Sequence, residues 1–94
     1  MNKEESLRLL VKTGTYVTGE REVEKLIEEG RAKLVVLSNR KSARLVELCE
    51  KNNVPVMEIE KNAMELGVLS GKPFPVSAIG VESEGESDIL SFRR

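Results

Sequence analysis

The sequence predicts an α/β fold in which one central sheet lies between helices on both of its faces. Apolar residues recur at helical spacing in several segments, which indicates amphipathic helices. Short apolar runs stand between these segments, and "AKLVVLS" (32–38) is continuous enough for a strand that is buried on both faces. Because the two kinds of segment alternate with short connections, they favour a single sandwich. A chain of 94 residues can bury one modest core, so we expect one domain over residues 1–94.

Four segments carry the pattern of an amphipathic helix. In the first, Leu7, Leu10 and Val11 stand at i, i+3 and i+4. Ser42 and Asn62 are suitable N-cap residues for the third and fourth helices. The predicted helices cover 3–12, 20–29 with Gly30 as the C-terminal cap, the segment between Ser42 and "KNN" (51–53), and 63–71, which we expect Gly67 to interrupt.

Apolar and β-branched runs between the helices predict the strands. "YVT" (16–18) is short and ends at Gly19, and "VPVMEIE" (54–60) carries Pro55 at its start, where a missing N–H is least harmful. Further strands are predicted at 32–38, at 76–83 and, after the turn "EGES", at 88–92.

The composition excludes several kinds of function. The chain has no histidine, which removes the commonest general base and metal ligand, so zinc sites and Ser-His or Cys-His catalysis are not expected. Its single cysteine, Cys49, cannot form an internal disulfide and fits a reducing cytoplasm. No apolar run approaches the roughly 18 residues of a membrane span, and the N-terminus does not resemble a secretory signal. The net charge is −1, so a nucleic acid would have to bind a local basic patch.

The start of the second predicted helix is a candidate phosphate or base contact. Gly19 stands between a strand and this helix, where backbone N–H groups can bind anions. Arg21 and Lys25 lie one turn apart and could hold a phosphate, while Glu22 could accept from the amino group of a base. The alternative is a turn glycine followed by a solvated, ion-paired helix face. The segment lacks the pattern of a nucleotide-binding P-loop, which gives a phosphate hydrolase little support.

A second candidate is the segment "SNRKSAR" (38–44), which follows the strand 32–38. Asn39, Arg40, Lys41 and Arg44 stand at the carboxyl edge of the predicted sheet, where the loops that follow successive strands gather. We therefore expect this basic loop to lie near Gly19. An ordinary solvated loop with an asparagine at its turn would give the same sequence.

The third candidate is "GKPFPVSAIGV" (71–81). Pro73 and Pro75 fix φ on both sides of Phe74, which lowers the entropy cost of holding its ring where a base or ribose could pack. Phe74 could equally close the end of the core. The acidic residues after this segment (82–88) lack the ligand spacing of a calcium loop and indicate a solvated turn, and Cys49, on an apolar helix stripe, indicates a buried thiol.

The order and separation of these segments resemble a known family. "TGTYVTG", "AKLVVLSN", "NNVPVMEIE", "ELGVLSGKPFPVSAIGV" and "EGESDIL" together resemble the archaeal/eukaryotic family of large-subunit ribosomal protein thirty, within the L7Ae superfamily of kink-turn RNA-binding proteins. The resemblance covers roughly residues 5 to 91. Its most specific part is "ELGVLSGKP" with "PVSAI", which favours the ribosomal family over the kink-turn proteins of RNA modification particles.

The resemblance implies a three-layer α/β/α sandwich with a mixed central sheet, located in the cytoplasmic ribosome. Such a protein binds a kink-turn or similarly bent internal loop of ribosomal RNA, performs no catalysis, and needs no cofactor or metal. Neighbouring ribosomal proteins are further candidate partners, no membrane is involved, and the free protein is expected to be a monomer. The RNA-binding residues that the resemblance implies, with the basic loop, are Gly19, Arg21, Glu22, Lys25, Asn39, Arg40, Lys41, Phe74, Pro75 and Val76.

Two other functions are compatible with the same sequence. One is a kink-turn-binding protein of an RNA modification particle. The other is a protein-interaction adaptor on the same fold, which would need no basic rim around the RNA-binding loops.

Overall fold

The computed structural model describes residues 2–40 and 42–92, which form four α-helices, four β-strands and a C-terminal 3-10 helix. No helix in this part of the chain is long and apolar enough to cross a membrane. The helices are α1 (Lys3–Thr13), α2 (Glu20–Glu28), α3 (Ala43–Lys51) and α4 (Ala63–Leu69), the strands are β1 (Thr15–Thr18), β2 (Leu34–Leu37), β3 (Val56–Glu58) and β4 (Ala78–Ser83), and the 3-10 helix covers Ile89–Phe92.

The four strands form one mixed sheet in the order β1-β4-β2-β3. β2 and β3 are parallel, whereas β4 is antiparallel to both β1 and β2. β1, β2 and β3 therefore run in the same direction, and β4 runs against them. The predicted α/β class and the mixed sheet are confirmed.

Each face of the sheet is covered by its own group of helices. On one face, α2 and α3 pack Val23, Ile27 and Leu45 against Val35 and other strand residues. On the other face, α1, α4 and the 3-10 helix pack Leu7, Leu66, Ile89 and their neighbours against the opposite side chains of the sheet. Because β2 contributes Val35 and Leu37 to one core and Leu34 and Val36 to the other, it is buried on both faces. The molecule is therefore the three-layer α/β/α sandwich that the sequence predicts.

The helices begin at the capping residues that the sequence indicates. The Ser42 hydroxyl accepts from the backbone N–H of Leu45 at 3.3 Å. Asn62 and Glu65 form a capping box, in which the Asn62 side chain accepts from the Glu65 backbone at 2.8 Å and the Glu65 carboxylate accepts from the Asn62 backbone at 3.0 Å. These bonds fix the residues at which α3 and α4 begin.

Two predictions about local structure are wrong. Residues 89–92 form a 3-10 helix rather than a last strand. The Ser87 hydroxyl donates to the Ser6 carbonyl at 2.6 Å and accepts from the Ile89 backbone at 3.1 Å, and Ser6 donates to Asp88, so local hydrogen bonds favour a helical turn over pairing with the sheet. Gly67 does not interrupt α4, since the helix continues through it to Leu69.

Candidate nucleic-acid interface

The carboxyl ends of three strands meet at one edge of the sheet, which we call the carboxyl edge. Because β1, β2 and β3 run in the same direction, α2, α3 and α4 all begin there, and the antiparallel β4 begins there as well. Backbone hydrogen bonds join the connections: Gly19 N donates to the Ala78 carbonyl at 3.0 Å, and Ser38 N donates to the Ser77 carbonyl at 3.1 Å. The carboxyl edge thus brings together the Gly19 turn, the segment after Ser38 and the segment that leads into β4.

The Gly19 turn presents the first residues of α2 to solvent. Gly19 has φ 95°, a conformation that favours glycine, and a Cβ added to it would meet nothing within 4 Å. Arg21, Glu22 and Lys25 are all exposed. Within residues 2–40 and 42–92, none of these three side chains has a hydrogen-bond or ion-pair partner.

The ion pairs of α2 use other residues. Glu20 accepts from the Ser42 hydroxyl at 2.5 Å, and Glu24 pairs with Arg44 at 2.7 Å, so both acids connect α2 to α3. The alternative of an ion-paired helix face therefore holds for Glu24, while Glu20 is hydrogen-bonded to Ser42. Within the described part of the chain, Arg21 and Lys25 have no such partner and are available to an external anion. Arg44 is correspondingly neutralised.

The segment after β2 is exposed at Asn39 and Arg40, and Lys41 lies outside the described residues. The backbone N–H of Asn39 donates to the Lys61 carbonyl at 2.8 Å, which holds this segment beside the start of α4. Asn39 and Arg40 are not engaged by another side chain in the described part of the protein. Ser38, which the sequence pattern does not single out, has a buried hydroxyl without a partner among the described residues.

The segment 70–77, here called the Phe74 loop, is attached to α4 on both sides of Phe74. Val76 N donates to the Ala63 carbonyl and Lys72 N donates to the Gly67 carbonyl, each at 2.9 Å. The backbone of Phe74 lies directly on Gly67, where an added Cβ would be 2.2 Å from the Phe74 carbonyl oxygen. The Phe74 loop is therefore held by packing and hydrogen bonds as well as by its prolines.

Phe74 itself points away from the core. Its side chain is 48 % exposed and both flanking prolines are exposed, so the alternative of a core phenylalanine is excluded. Lys72, which the sequence did not single out, lies with its Nζ 5.5 Å from the centroid of the Tyr16 ring and connects the Phe74 loop to β1. This pairing joins residues far apart in the chain, so no local pattern could have indicated it.

The structure corrects one predicted contact. Val76 was expected to contact RNA together with Phe74 and Pro75. Its side chain is only 2 % exposed and packs in the core beneath α4. Val76 lies before β4, and the hydrogen bond from its backbone N–H to the Ala63 carbonyl holds it against α4, so its buried side chain is not available to RNA.

The thiol of Cys49 and the acidic residues at 82–88 have structural roles in the fold. Burial raises the pKa of the Cys49 thiol to about 11, which leaves it protonated and unreactive at neutral pH. Of the acidic residues at 82–88, Glu82 pairs with Arg31 at 2.8 Å and Glu84 with Lys33 at 3.5 Å. Among the described residues, no group of three or more His, Cys, Asp or Glu side chains could hold a metal ion.

Comparisons with known proteins agree with this architecture. Residues 1–91 match the model of the family described as "Ribosomal protein L7Ae/L30e/S12e/Gadd45 family". The large ribosomal subunit protein eL30 of Methanosarcina mazei is 40 % identical over 91 residues, which cover 97 % of this chain and 88 % of that protein. The protein of the same name from Methanospirillum hungatei is 41 % identical over 90 residues, or 95 % of each chain.

A solved structure shows the same fold. A Bacillus halodurans C protein of unknown function superposes with a TM-score of 0.78 at 28 % identity, over 96 % of this chain and 93 % of that one. The family resemblance of the sequence is thereby confirmed over nearly the whole chain. This chain belongs to the ribosomal protein L7Ae/L30e/S12e/Gadd45 family.

Proposed function

We propose that this chain is a structural constituent of the large ribosomal subunit. In this role it acts as a single, non-catalytic domain in the cytoplasmic ribosome and binds a kink-turn or similarly bent internal loop of ribosomal RNA. The relatives named eL30 match it over nearly their whole length, which supports the ribosomal role. The family match supports RNA as the ligand.

One observation carries the RNA part of the proposal. The carboxyl edge combines cations at the start of α2, unpaired among the described residues, with an exposed phenylalanine in a loop that is fixed to α4. Arg21 and Lys25 supply charge for phosphates, beside the N–H groups in the first turn of α2 after Gly19. Phe74 and Pro75 supply an apolar surface on which an unstacked base or ribose can pack.

These two kinds of contact require a bent RNA. A continuous duplex offers phosphates, but it keeps its bases stacked and out of reach of Phe74. A sharply bent internal loop exposes bases and brings two backbone segments close together, so both sides of the carboxyl edge can be used at once. In this arrangement Glu22 accepts from a base amino group, and Asn39, Arg40 and Lys41 contact the second strand.

The two alternatives differ in their partners. A protein of an RNA modification particle would bind the same RNA shape, so RNA binding in vitro does not distinguish it from a ribosomal protein. Crosslinking of the protein to RNA in cells, followed by sequencing of the bound RNA, distinguishes the two. Large-subunit ribosomal RNA among the bound sequences supports the proposal, and small guide RNAs support the alternative. A pure protein adaptor would bind neither.

The direct test is a titration of the purified protein against a kink-turn RNA and a straight duplex of equal length, at one salt concentration. We expect the kink-turn RNA to bind more tightly by several decades. The double charge reversal Lys25→Glu and Arg40→Glu should remove binding, and the double reversal Lys12→Glu and Lys51→Glu, which makes the same charge change at the ends of α1 and α3, serves as the control. Equal weak binding to both RNAs would contradict the proposal.

A further inference from the structure

A groove beside β1 connects the two parts of the proposed RNA-binding surface. Residues 14–18 line the groove, together with Glu22 from the start of α2 and Lys72 from the Phe74 loop. Its volume is about 560 Å³, and we call it the β1 groove. Because β1 is an end strand of the sheet and leads into the Gly19 turn, the β1 groove continues the carboxyl edge along the side of the molecule.

The side chain of Lys72 has an aromatic partner in this groove and no acidic one. Its Nζ lies 5.5 Å from the centroid of the Tyr16 ring, within the range of a cation–π interaction. Glu22 lines the same groove, but within the described part of the chain it forms no ion pair with Lys72. Cations elsewhere in the protein do have carboxylate partners, namely Arg31, Lys33, Arg44 and Lys61. The charge of Lys72 is therefore available to an external anion.

The contact between Lys72 and Tyr16 is not needed to hold either residue in place. The backbone of the Phe74 loop is fixed by the hydrogen bonds from Lys72 N to the Gly67 carbonyl and from Val76 N to the Ala63 carbonyl. The Tyr16 ring packs against the core on the α1 and α4 side of the sheet, so it is held independently of Lys72. A lysine side chain is flexible, and a fixed ring beside it lowers the entropy cost of placing its ammonium group for a contact.

We infer that Lys72 is a further RNA-contacting residue, whose ammonium group donates to a phosphate oxygen in the β1 groove, and that Tyr16 is its positioning residue. This inference rests on the proposed function. Lysine binds phosphate as a point charge, and an unpaired ammonium beside an aromatic ring suits that role. The acid of the groove is compatible with RNA as well, because Glu22 accepts from a base amino group while Lys72 binds the backbone. The RNA-binding surface thus extends from the carboxyl edge along β1.

The first test is a kink-turn RNA titration at four or five salt concentrations. Lys72→Gln should reduce the slope of log affinity against log salt by roughly 0.7 to 0.9, because one phosphate contact fewer releases fewer counterions. Lys72→Arg keeps the charge and should keep the slope. Lys51→Gln makes the same charge change at the C-terminal end of α3 and should match the unaltered chain.

The second test measures the coupling between Tyr16 and Lys72. Tyr16→Leu keeps an apolar side chain on the core but removes the ring, so it should weaken RNA binding when Lys72 is present and have little further effect in Lys72→Gln. Tyr16→Phe keeps the ring and should bind like the unaltered chain. A purely structural role of Tyr16 would instead weaken binding equally with and without Lys72, and thermal unfolding of each variant reports separately on the fold.

The outcomes separate this inference from the proposed function. If the unaltered chain prefers kink-turn RNA to a straight duplex but Lys72→Gln leaves the salt slope unchanged, this inference alone is overturned. Equal losses from Tyr16→Leu in both backgrounds would overturn the positioning role of Tyr16. If the unaltered chain shows no preference for kink-turn RNA, the proposed function fails and this inference fails with it.

Discussion

Phe74 and Val76 are two residues apart and have opposite surroundings. Phe74 is 48 % exposed beside two prolines, whereas Val76 is 2 % exposed beneath α4. We expect Phe74→Ala to weaken kink-turn RNA binding by about 1 to 3 kcal/mol, because one stacking surface is lost, with little change in the thermal transition. RNA titration and thermal unfolding of the same preparation measure both effects.

Val76→Ala is the matched control for this prediction. It removes buried methyl groups and should lower the free energy of unfolding by about 2 kcal/mol, while the exposed surface stays as it is. Loss of the cooperative thermal transition in Phe74→Ala would show instead that Phe74 belongs to the core. Unchanged RNA affinity in Phe74→Ala would remove the Phe74 loop from the RNA contacts.

Arg21 and Arg44 lie on neighbouring helices and differ in their ion pairing. Arg21 has no ion-pair partner in residues 2–40 and 42–92, whereas Arg44 is held by Glu24 at 2.7 Å. If Arg21 binds a phosphate, Arg21→Ala should reduce the slope of log affinity against log salt by roughly one, through the release of fewer counterions.

The salt dependence of Arg44→Ala provides the comparison. Its slope should match that of the unaltered chain, because an exposed, already neutralised arginine contributes little to RNA binding or stability. The measurement is a kink-turn RNA titration at four or five salt concentrations for each protein. An unchanged slope in Arg21→Ala would exclude Arg21 from the phosphate contacts.

At the scale of elements, α4 and the Phe74 loop form one unit through Gly67. Alanine normally stabilises a helix interior relative to glycine by about 1 kcal/mol. At Gly67, however, the added Cβ would lie 2.2 Å from the Phe74 carbonyl oxygen, a backbone atom that a side-chain rotation cannot move. We therefore expect Gly67→Ala to destabilise the protein by about 1 to 3 kcal/mol and to weaken RNA binding through displacement of the loop.

Val68→Ala, one residue further along the same helix, separates this contact from helix propensity. Its side chain is 71 % exposed, so we expect a change in the free energy of unfolding within about 0.5 kcal/mol and unchanged RNA affinity. Urea unfolding and RNA titration of both variants provide the measurements. A Gly67→Ala protein that is more stable than the unaltered chain and binds RNA equally well would show that the loop does not depend on this contact.

The sequence was most informative where a local signal determines local structure. Ser42 and Asn62 cap the helices that they were predicted to cap, and the apolar run at 32–38 is the strand that is buried on both faces. It was wrong at 88–92, where an apolar run with a β-branched residue suggests a strand but the hydroxyls of Ser6 and Ser87 favour a 3-10 turn. That contact joins residues 81 positions apart, so a local pattern could not reveal it.

The same distinction applies to the candidate site. Alternating strands and helices predicted that the Gly19 turn and the segment after β2 would share one edge of the sheet, and they do. The sequence could not show which cations of this edge are already paired, because the choice between Arg21 and Arg44 depends on where Glu24 points. It likewise could not show that Gly67 accommodates the Phe74 backbone.

At the scale of the whole molecule, the distribution of ion pairs explains how a chain of net charge −1 can offer a basic edge. Several cations away from the carboxyl edge are paired: Arg31 with Glu82 at 2.8 Å, and Lys33 with Glu84 at 3.5 Å. Arg21 and Lys25 are exposed and unpaired in the described part of the chain. Local pairing, rather than total charge, therefore determines which surface attracts a polyanion.

The same ion pairs determine the pH dependence of stability. The hydrogen bond from Lys61, together with its positive charge, lowers the pKa of the Glu4 carboxyl. The pKa of the Glu84 carboxyl is also lowered, mainly by a backbone hydrogen bond and less by the charge of Lys33. A carboxyl whose pKa is lower in the folded state stabilises the fold above its unfolded pKa, about 4.3, and this contribution is lost as pH falls through the folded value. Glu4 raises the pKa of Lys61, whose contribution is present below about pH 10.4 and is lost as pH rises through the folded value.

We therefore expect the free energy of unfolding to be constant between about pH 6 and 8 and to fall below about pH 4.5. It should also fall above about pH 8.5, because the Cys49 thiol ionises in the unfolded chain, whereas burial raises its folded pKa to about 11. The chain has no histidine, the side chain that ordinarily titrates near neutral pH, and burial raises the pKa of Cys49 further from that range. Urea unfolding from pH 3 to 9 measures the profile.

The variant Glu4→Gln tests the contribution of one carboxyl. It should lose less stability between pH 6 and 3, because it lacks one of the carboxyls whose pKa is lowered in the folded state. Glu47→Gln, which replaces an exposed acid on α3, should follow the unaltered chain. A midpoint between about pH 5.5 and 7 would contradict this account, since no side chain of the sequence has its ordinary pKa in that range.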